Sequence, residues 1–215
     1  MLLAKTAIPR SMNPDDTKGR LIATCERLLG ERGFGGVALH EIAHQAGQSN
    51  KYAVQYHFGD VENLISAVFA TRERFIIERR LQLIQVAESK NLMGDPEALL
   101  ELIYLPIAEQ VDEDGRHSFA RFWMQFFARP DASGLAANPF PGRHPMYYRI
   151  LDLLQAAVGG PPGRVEAELR MLGFINFAAL IDRDNAKMGG KRVPALGTVV
   201  TRTVRLMAAA LTGAA

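Results

Sequence analysis

Residues 39–58 limit the possible folds more than any other part of the sequence. Apolar residues with helical spacing stand on both sides of Gly47, in stretches too short for more than two brief helices. Ile42 and Ala43 would face inward from the first helix, and Val54 from the second. Glycine readily adopts the left-handed backbone conformation that ends a helix. The pattern therefore predicts two short helices joined by a tight turn at Gly47.

Capping residues predict where these two helices begin and end. The first is expected to run from about Leu39 to Ala46. Ser49 or Asn50 can cap the second, because their side chains accept hydrogen bonds from the free N–H groups of a helix start. This second helix is expected to continue to about His57.

Helical apolar spacing also precedes and follows this stretch. A first helix is expected from Thr17, loosened and ended by Gly30 and Gly33, with an inward stripe formed by Leu21, Ile22, Cys25, Leu28 and Leu29. Asp60 is expected to cap a long fourth helix that reaches past Ala87. Together, the four helices would form a small three-helix module followed by a long helix.

The remaining sequence continues as helices separated by glycine and proline. Further helices are expected over 97–111, 116–128, 146–158 and 163–187, and a last one opens at Pro194. No segment shows the two-residue alternation of a half-buried strand. The predicted fold class is all-α, with about nine helices.

Bulk properties describe an ordinary globular protein. The chain has 215 residues, 48% of them hydrophobic and 22% charged, with a net charge of +2 that does not by itself indicate a nucleic-acid binder. No apolar run reaches the roughly 18 residues of a membrane helix, and no secretion signal stands at the start. The single cysteine, Cys25, cannot form an internal disulfide. We expect a cytoplasmic protein without membrane contact, beginning with a flexible arm over residues 1–16.

A zinc hydrolase is one interpretation of the same segment, because His40, Glu41 and His44 spell the HExxH pattern of zinc proteases. A catalytic zinc needs three protein ligands, and Asn50 stands where the longer protease pattern has its third histidine. The predicted helix is only about two turns long. We therefore expect no metal site and no enzymatic activity, and keep the hydrolase as a minor alternative.

A DNA-binding helix-turn-helix accounts for more of the residues. Ala43 is small where the two helices would touch, Gly47 takes the turn, and Ile42, Val54 and Phe58 would anchor the pair. Polar side chains that can bind base edges fill the outer face of the second helix: Gln48, Ser49, Asn50, Lys51, Tyr52 and Gln55.

Residues 17–70 resemble the DNA-binding domain of TetR-family transcriptional regulators. The matching motifs are, in order, G-F-x-x-V-x-L-x-E-I-A, A-G-Q-S-N-K-Y-A-V-Q-Y-H-F-G and x-E-N-L at the fourth helix. The resemblance implies a helix-turn-helix domain over residues 17–60 and a helical ligand-binding and dimerisation domain over residues 61–215. It also implies a homodimer through the last two long helices, bound to a near-palindromic double-stranded operator, and a repressor released by a small molecule.

Several residue roles follow from the resemblance. Tyr56 and His57 match the end of the recognition helix, where the family contacts phosphate and packs on the fourth helix. His40 matches a position that often carries a basic residue facing the DNA backbone. The family's phosphate-binding Ser or Thr and Lys are replaced here by Ala38 and Val61.

These departures shift the expected phosphate contacts toward other cations. They are His57 and the N-terminal residues Lys5, Arg10, Lys18 and Arg20. The recognition segment is also one residue longer than the common family spelling, so the base contacts are assigned to the segment as a whole. Loss of two phosphate contacts also leaves open a helical adaptor that no longer binds DNA.

Aromatic residues of the later helices are candidates for the ligand pocket that the resemblance implies, and equally for ordinary core packing. They are Phe69, Tyr104, Phe119, Phe122, Trp123, Phe126, Phe174 and Phe177. Few charged residues stand among them, which favours an apolar effector, with Tyr104 and Asn176 as polar groups to orient it. No cofactor is expected.

The dimer implied by the resemblance would use small and apolar residues of the last two helices. On the eighth helix these are Leu169, Leu172, Gly173, Asn176, Ala179 and Leu180. On the ninth helix they are Leu196, Val199, Val200, Thr203, Val204, Met207 and Leu211.

Overall fold

The computed structural model describes residues 16–129 and 144–213. These residues form nine α-helices and no strand, which confirms the all-α prediction. The helices are α1 (Thr17–Arg32), α2 (Leu39–Gln45), α3 (Ala53–Phe58), α4 (Val61–Ser89), α5 (Pro96–Ala108), α6 (Ser118–Phe127), α7 (Pro145–Val158), α8 (Arg164–Met188) and α9 (Leu196–Gly213). Within the two described ranges, every helix is too short or too polar to cross a membrane.

The chain divides into two compact units, each described here by itself. The first unit comprises residues 16–74 and 110–129 of the described chain, and the second comprises residues 75–109 and 144–213. The DNA-binding domain predicted over residues 17–60 lies within the first unit. A domain boundary after residue 60 stays a prediction, and the arm predicted over residues 1–16 falls almost wholly outside the described residues.

Aspartate side chains cap several helix starts in the structure. The Asp16 carboxylate accepts a hydrogen bond from the Gly19 N–H at the start of α1. Asp60 does the same for the Asn63 N–H at the start of α4, as predicted from the sequence. Asp95 caps α5, with Pro96 in the first helical turn.

The sequence suggested that Gly30 loosens the end of α1, but the structure shows that it does not. It lies inside the helix, and a Cβ atom there would come within 2.9 Å of the Phe122 backbone nitrogen in α6. Glycine is therefore needed because two helices approach closely, and Gly33 alone ends α1, with a φ of 76°. The apolar spacing of α1 could not indicate this, because α6 is remote in sequence.

An ion pair is buried in the core of the first unit. The guanidinium of Arg72 in α4 donates to both carboxylate oxygens of Glu26 in α1, at 2.7 and 2.6 Å. Glu26 is 1% exposed and Arg72 3% exposed. The Ser118 hydroxyl at the start of α6 donates to the same carboxylate. This network joins α1, α4 and α6 at one point.

The centre of the second unit is α5, whose residues from Ala98 to Ala108 are all buried. Pro106 lies inside this helix and has no N–H group to donate to the carbonyl of Leu102. Arg80 of α4 takes that place, with its Nε 3.0 Å from the Leu102 carbonyl oxygen. A buried cation therefore satisfies the carbonyl that the proline leaves open.

Candidate nucleic-acid interface

The turn between α2 and α3 has the hydrogen bonds of a glycine-ended helix. Gly47 has a φ of 73°, its N–H donates to the His44 carbonyl, and the Gln48 N–H donates to the Ala43 carbonyl. These two bonds define the Schellman motif, which satisfies the last carbonyls of a helix. The predicted role of Gly47 is confirmed.

The α3 helix begins later than predicted. It runs from Ala53 to Phe58, and Tyr52 stands at its N-cap without a side-chain cap. Asn50 instead folds back within the turn, where its Oδ1 accepts a hydrogen bond from the Tyr52 N–H at 2.9 Å. Side-chain bonds of this kind compete with helix formation, so the residues before Ala53 form a turn.

The inward faces of α2 and α3 are anchored as predicted. Ile42, Ala43 and Val54 are each 0% exposed. Phe58 is half-buried. The two short helices therefore keep their relative placement through contacts on one side and leave their other side to solvent.

Most of the predicted base-reading residues are exposed, but they lie on two different elements. Gln48 is half-buried and donates to the Ala46 carbonyl at 3.2 Å, while the others in the turn are exposed: Ser49, Asn50, Lys51 and Tyr52. Of the predicted set, only Gln55, Tyr56 and His57 lie on α3 itself. The candidate interface is therefore a turn followed by a short helix.

Two tyrosines are the most prominent side chains of this surface. Tyr56 is 81% exposed and Tyr52 58% exposed, which is unusual for large aromatic residues. The Lys51 ammonium lies 5.0 Å from the centre of the Tyr52 ring. The rings of Tyr56 and His57 meet edge to face at 4.9 Å. The surface thus presents aromatic, cationic and amide groups together.

The HExxH residues do not assemble into a metal centre. His40 and His44 are exposed on α2, and the Glu41 carboxylate is bound by Arg32 and Gln45. Across residues 16–129 and 144–213, no group of three or more metal-ligating side chains lies close enough together to hold an ion.

Arg20 lies in a cleft of about 300 Å³ within the first unit. Arg27 and Arg72 line the same cleft, together with the acidic segment 112–114. Burial raises the pKa of the Asp112 carboxyl group, as does Asp114, while hydrogen bonds from the Arg116 and Asp114 backbone N–H groups oppose the rise. Arg20 thus shares its cleft with charges of both signs, and its contact with phosphate stays a prediction. Lys5 and Arg10 lie outside the described residues.

The predicted ligand-pocket residues separate into the two units. Five aromatic rings of the first unit pack against one another, with Phe69 4.9 to 5.9 Å from each of the other four: Phe119, Phe122, Trp123 and Phe126. The two cavities described in the first unit include none of the eight predicted residues. A pocket lined by these rings stays a prediction.

The other predicted pocket residues belong to the second unit. The Tyr104 hydroxyl donates to the Leu169 carbonyl at 3.2 Å, and Phe177 is 4% exposed. The Asn176 side chain donates to the Thr203 hydroxyl at 2.9 Å, while its own carbonyl oxygen is buried without a hydrogen-bond partner. Of the two polar residues expected to orient a ligand, Tyr104 is thus hydrogen-bonded to the backbone. The side-chain carbonyl oxygen of Asn176 could still accept a hydrogen bond.

Most residues chosen for a dimer surface on α8 and α9 face the interior of the second unit instead. Leu169, Gly173, Asn176 and Leu180 are buried, as are Val200, Thr203, Val204, Met207 and Leu211. The exposed large apolar side chains of these helices are different ones: Met171 at 66%, Ile175 at 38%, Met188 at 63% and Leu206 at 54%. The correction follows from helix geometry, since the strongest apolar stripe packs against the chain's own core.

One ion pair of the first unit was not predicted from the sequence. Arg129, just after α6, binds Glu62 in the first turn of α4 through two hydrogen bonds. These residues are 67 positions apart, and neither belongs to a periodic pattern. The only sequence signal was the acidic residue of the x-E-N-L motif, which says nothing about its partner.

The chain matches no model of a protein family, and no curated protein matches its sequence. One similar solved structure is that of a candidate TetR-family transcriptional regulator from Mesorhizobium loti MAFF303099. The two chains are 18% identical with a TM-score of 0.43, and the match covers 94% of this chain and 98% of that chain.

Proposed function

We propose that this chain is a DNA-binding transcriptional regulator of the TetR type. The observation that carries the proposal is the arrangement of α2 (Leu39–Gln45), the Gly47 turn and α3 (Ala53–Phe58). Buried Ile42 and Val54 fix the helix pair on one side. The opposite side presents amide, ammonium and phenol groups to solvent.

Each exposed group has a matching partner on duplex DNA. The amides of Asn50 and Gln55 can bind adenine edges through two hydrogen bonds, and Lys51 can bind guanine. Tyr56 and His57 suit phosphate contacts, which set the orientation of a protein on the duplex. His40 on α2 would add a contact to the DNA backbone.

Dimerisation through α8 and α9 is the second part of the proposal. Met171 and Ile175 stand one turn apart on α8 and therefore on one face. Leu206 of α9 is likewise exposed, and a second copy could cover these apolar side chains. A two-fold dimer would place two recognition segments roughly 34–36 Å apart or somewhat more, so the operator would be near-palindromic.

Regulation by a small, apolar effector is the third part. The effector would bind in the helical domain predicted over residues 61–215 and favour a conformation in which the two recognition segments no longer match the half-site spacing. It can shift the balance only by its difference in affinity for the two conformations. The protein would then act as a cytoplasmic repressor that its effector releases from DNA.

Selection from random duplex DNA tests this proposal. The expected result is a near-palindromic site bound by a dimer, with affinity falling about 10³- to 10⁵-fold between 50 and 200 mM salt if six to ten phosphates are contacted. Size measurement in solution at micromolar concentration tests the dimer separately. No enrichment at low salt would contradict the proposal and favour the helical adaptor.

A further inference from the structure

The end of α6 is tied to the beginning of α4 by Arg129. Its Nη2 lies 2.8 Å from Glu62 Oε1, and its Nη1 lies 3.2 Å from Glu62 Oε2. The Arg129 side chain is 13% exposed, whereas that of Glu62 is 60% exposed. The pair is thus a bidentate ion pair between a mostly buried arginine and a mostly exposed glutamate.

Two aromatic rings hold the arginine in this position. The guanidinium carbon of Arg129 lies 5.0 Å from the centre of the Phe34 ring and 5.7 Å from that of Phe126. Phe34 belongs to the loop between α1 and α2, and Phe126 to α6. A planar guanidinium can stack on rings and still bind a carboxylate with two parallel hydrogen bonds, which a lysine cannot do. We call Arg129, Glu62 and Phe34 the Arg129 latch.

A cavity lies beside the latch, next to the first turn of α4. The cavity has a volume of about 330 Å³ and reaches from the loop after α1 to the start of α4. Its apolar walls are Leu29, Phe34, Val37, Ile42, Val61 and Ile65, and Glu62 and Arg129 also line it. On this side, the ion pair bridges a gap that protein side chains do not fill.

The first turn of α4 in turn fixes the end of the recognition helix. Gly59, with a φ of 83°, ends α3, and its N–H donates to the Gln55 carbonyl. The next residue, Asp60, already caps α4. Because only Gly59 and Asp60 connect the two helices, a change in the tilt of the first turn of α4 would also move Gln55 and Tyr56.

We propose that Arg129 is a positioning residue for DNA binding, which acts through Glu62 on the orientation of α3. This inference rests on the function proposed above. The residue just after α6 thereby contributes to the orientation of the recognition segment.

The direction in which Glu62→Gln changes DNA affinity distinguishes this role from a simple charge effect. Glu62→Gln removes a negative charge close to α3, so electrostatics alone would strengthen binding to a polyanion. Loss of the latch would weaken it, because α3 is then held less firmly. We expect operator affinity to fall by about fivefold or more in Glu62→Gln, in the range of typical coupling between sites.

The arginine variants complete a double-mutant cycle. Arg129→Gln and Arg129→Lys should each lower operator affinity about as much as Glu62→Gln, and the double variant Glu62→Gln with Arg129→Gln should lose little more than either single one. Arg116→Gln is the matched control, since it removes a cation of the same unit that pairs with Asp114 instead. Stronger binding by Glu62→Gln, or wild-type affinity in Arg129→Lys, would overturn the proposal.

Amide hydrogen exchange tests the latch without DNA. In the full-length Arg129→Gln and Glu62→Gln variants, peptides covering residues 33–38 and 59–66 should exchange faster than in the wild type, while peptides of α8 stay unchanged. Unchanged exchange at 59–66 would overturn the latch whether or not the protein binds DNA. A wild type that selects no DNA, with exchange altered as expected, would instead refute the proposed function alone.

Discussion

The α1–α6 contact and the α2–α3 turn, both in the first unit, are built by opposite means. The α1–α6 contact joins segments about ninety residues apart through a close helix approach and through a hydrogen bond from the Ser118 hydroxyl to Glu26, the carboxylate of the buried ion pair, 92 positions away. The α2–α3 turn uses residues within one short stretch and bonds between near neighbours. The first should determine how stable the unit is, and the second what it can bind.

Breaking the buried ion pair should have the largest effect on stability. Arg72→Met leaves the Glu26 carboxylate buried without its cation, which typically costs about 3–5 kcal/mol. Chemical denaturation followed by circular dichroism measures the loss. The matched control is the double variant Glu26→Leu with Arg72→Met, which should recover most of the stability because no charge is left buried. Equal loss in the single and double variants would contradict this explanation.

Gly30→Ala should have the next largest effect on stability. In an open helix this change stabilises by about 0.5–1 kcal/mol, but here the new methyl group would lie 2.9 Å from a backbone nitrogen of α6. We expect a net destabilisation of about 1–3 kcal/mol from overpacking. Thermal unfolding measures it, with Gly94→Ala as a control at a position that has open space around it. A stabilised Gly30→Ala would show that α1 and α6 can separate freely.

Gly47→Ala tests the same substitution at the turn, where its cost has another cause. No atom lies within 4 Å of the new Cβ position, so only the φ of 73° opposes the alanine. The left-handed conformation costs an alanine about 1 kcal/mol. Stability should fall by that amount, while affinity for the selected duplex falls more strongly because α3 loses its fixed direction. Fluorescence anisotropy on the labelled duplex compares the two losses, and unchanged affinity would exclude the turn from DNA binding.

Tyr56→Ala should have the smallest effect on stability and a clear effect on binding. Its side chain is 81% exposed, and exposed substitutions usually change stability by less than about 0.5 kcal/mol. Loss of a phosphate contact should weaken binding to all sequences alike, and the salt dependence should stay the same because the phenol carries no charge. Tyr148→Ala, on the 43% exposed tyrosine of α7, is the control. Equal binding by both variants would remove Tyr56 from the interface.

The difference between these regions also explains what the sequence could predict. The Gly47 turn, the Asp60 cap and the inward positions of α2 depend on neighbours in the chain, and each was predicted correctly. The predicted start of α3 was wrong, because the Asn50 side chain accepts a hydrogen bond from Tyr52 within the turn instead of capping a helix there.

Long-range contacts were beyond the sequence pattern. Gly30 looked like a helix breaker because its partner in α6 left no mark on the local periodicity. The Arg129–Glu62 pair joins two residues that are unremarkable in their own segments. On α8 and α9, the apolar stripe was visible, but periodicity alone could not say that it faces the chain's own core while Met171 and Leu206 face outward.

Comparison of a selected duplex with a scrambled duplex of the same length tests the DNA-binding function most directly. Affinities of the wild type for both would be measured by anisotropy between 50 and 200 mM salt. We expect a preference for the selected duplex of about 10³-fold or more, retained as salt weakens both complexes. Equal affinity for the two duplexes at every salt concentration would contradict sequence-specific recognition by the Gly47 turn and α3.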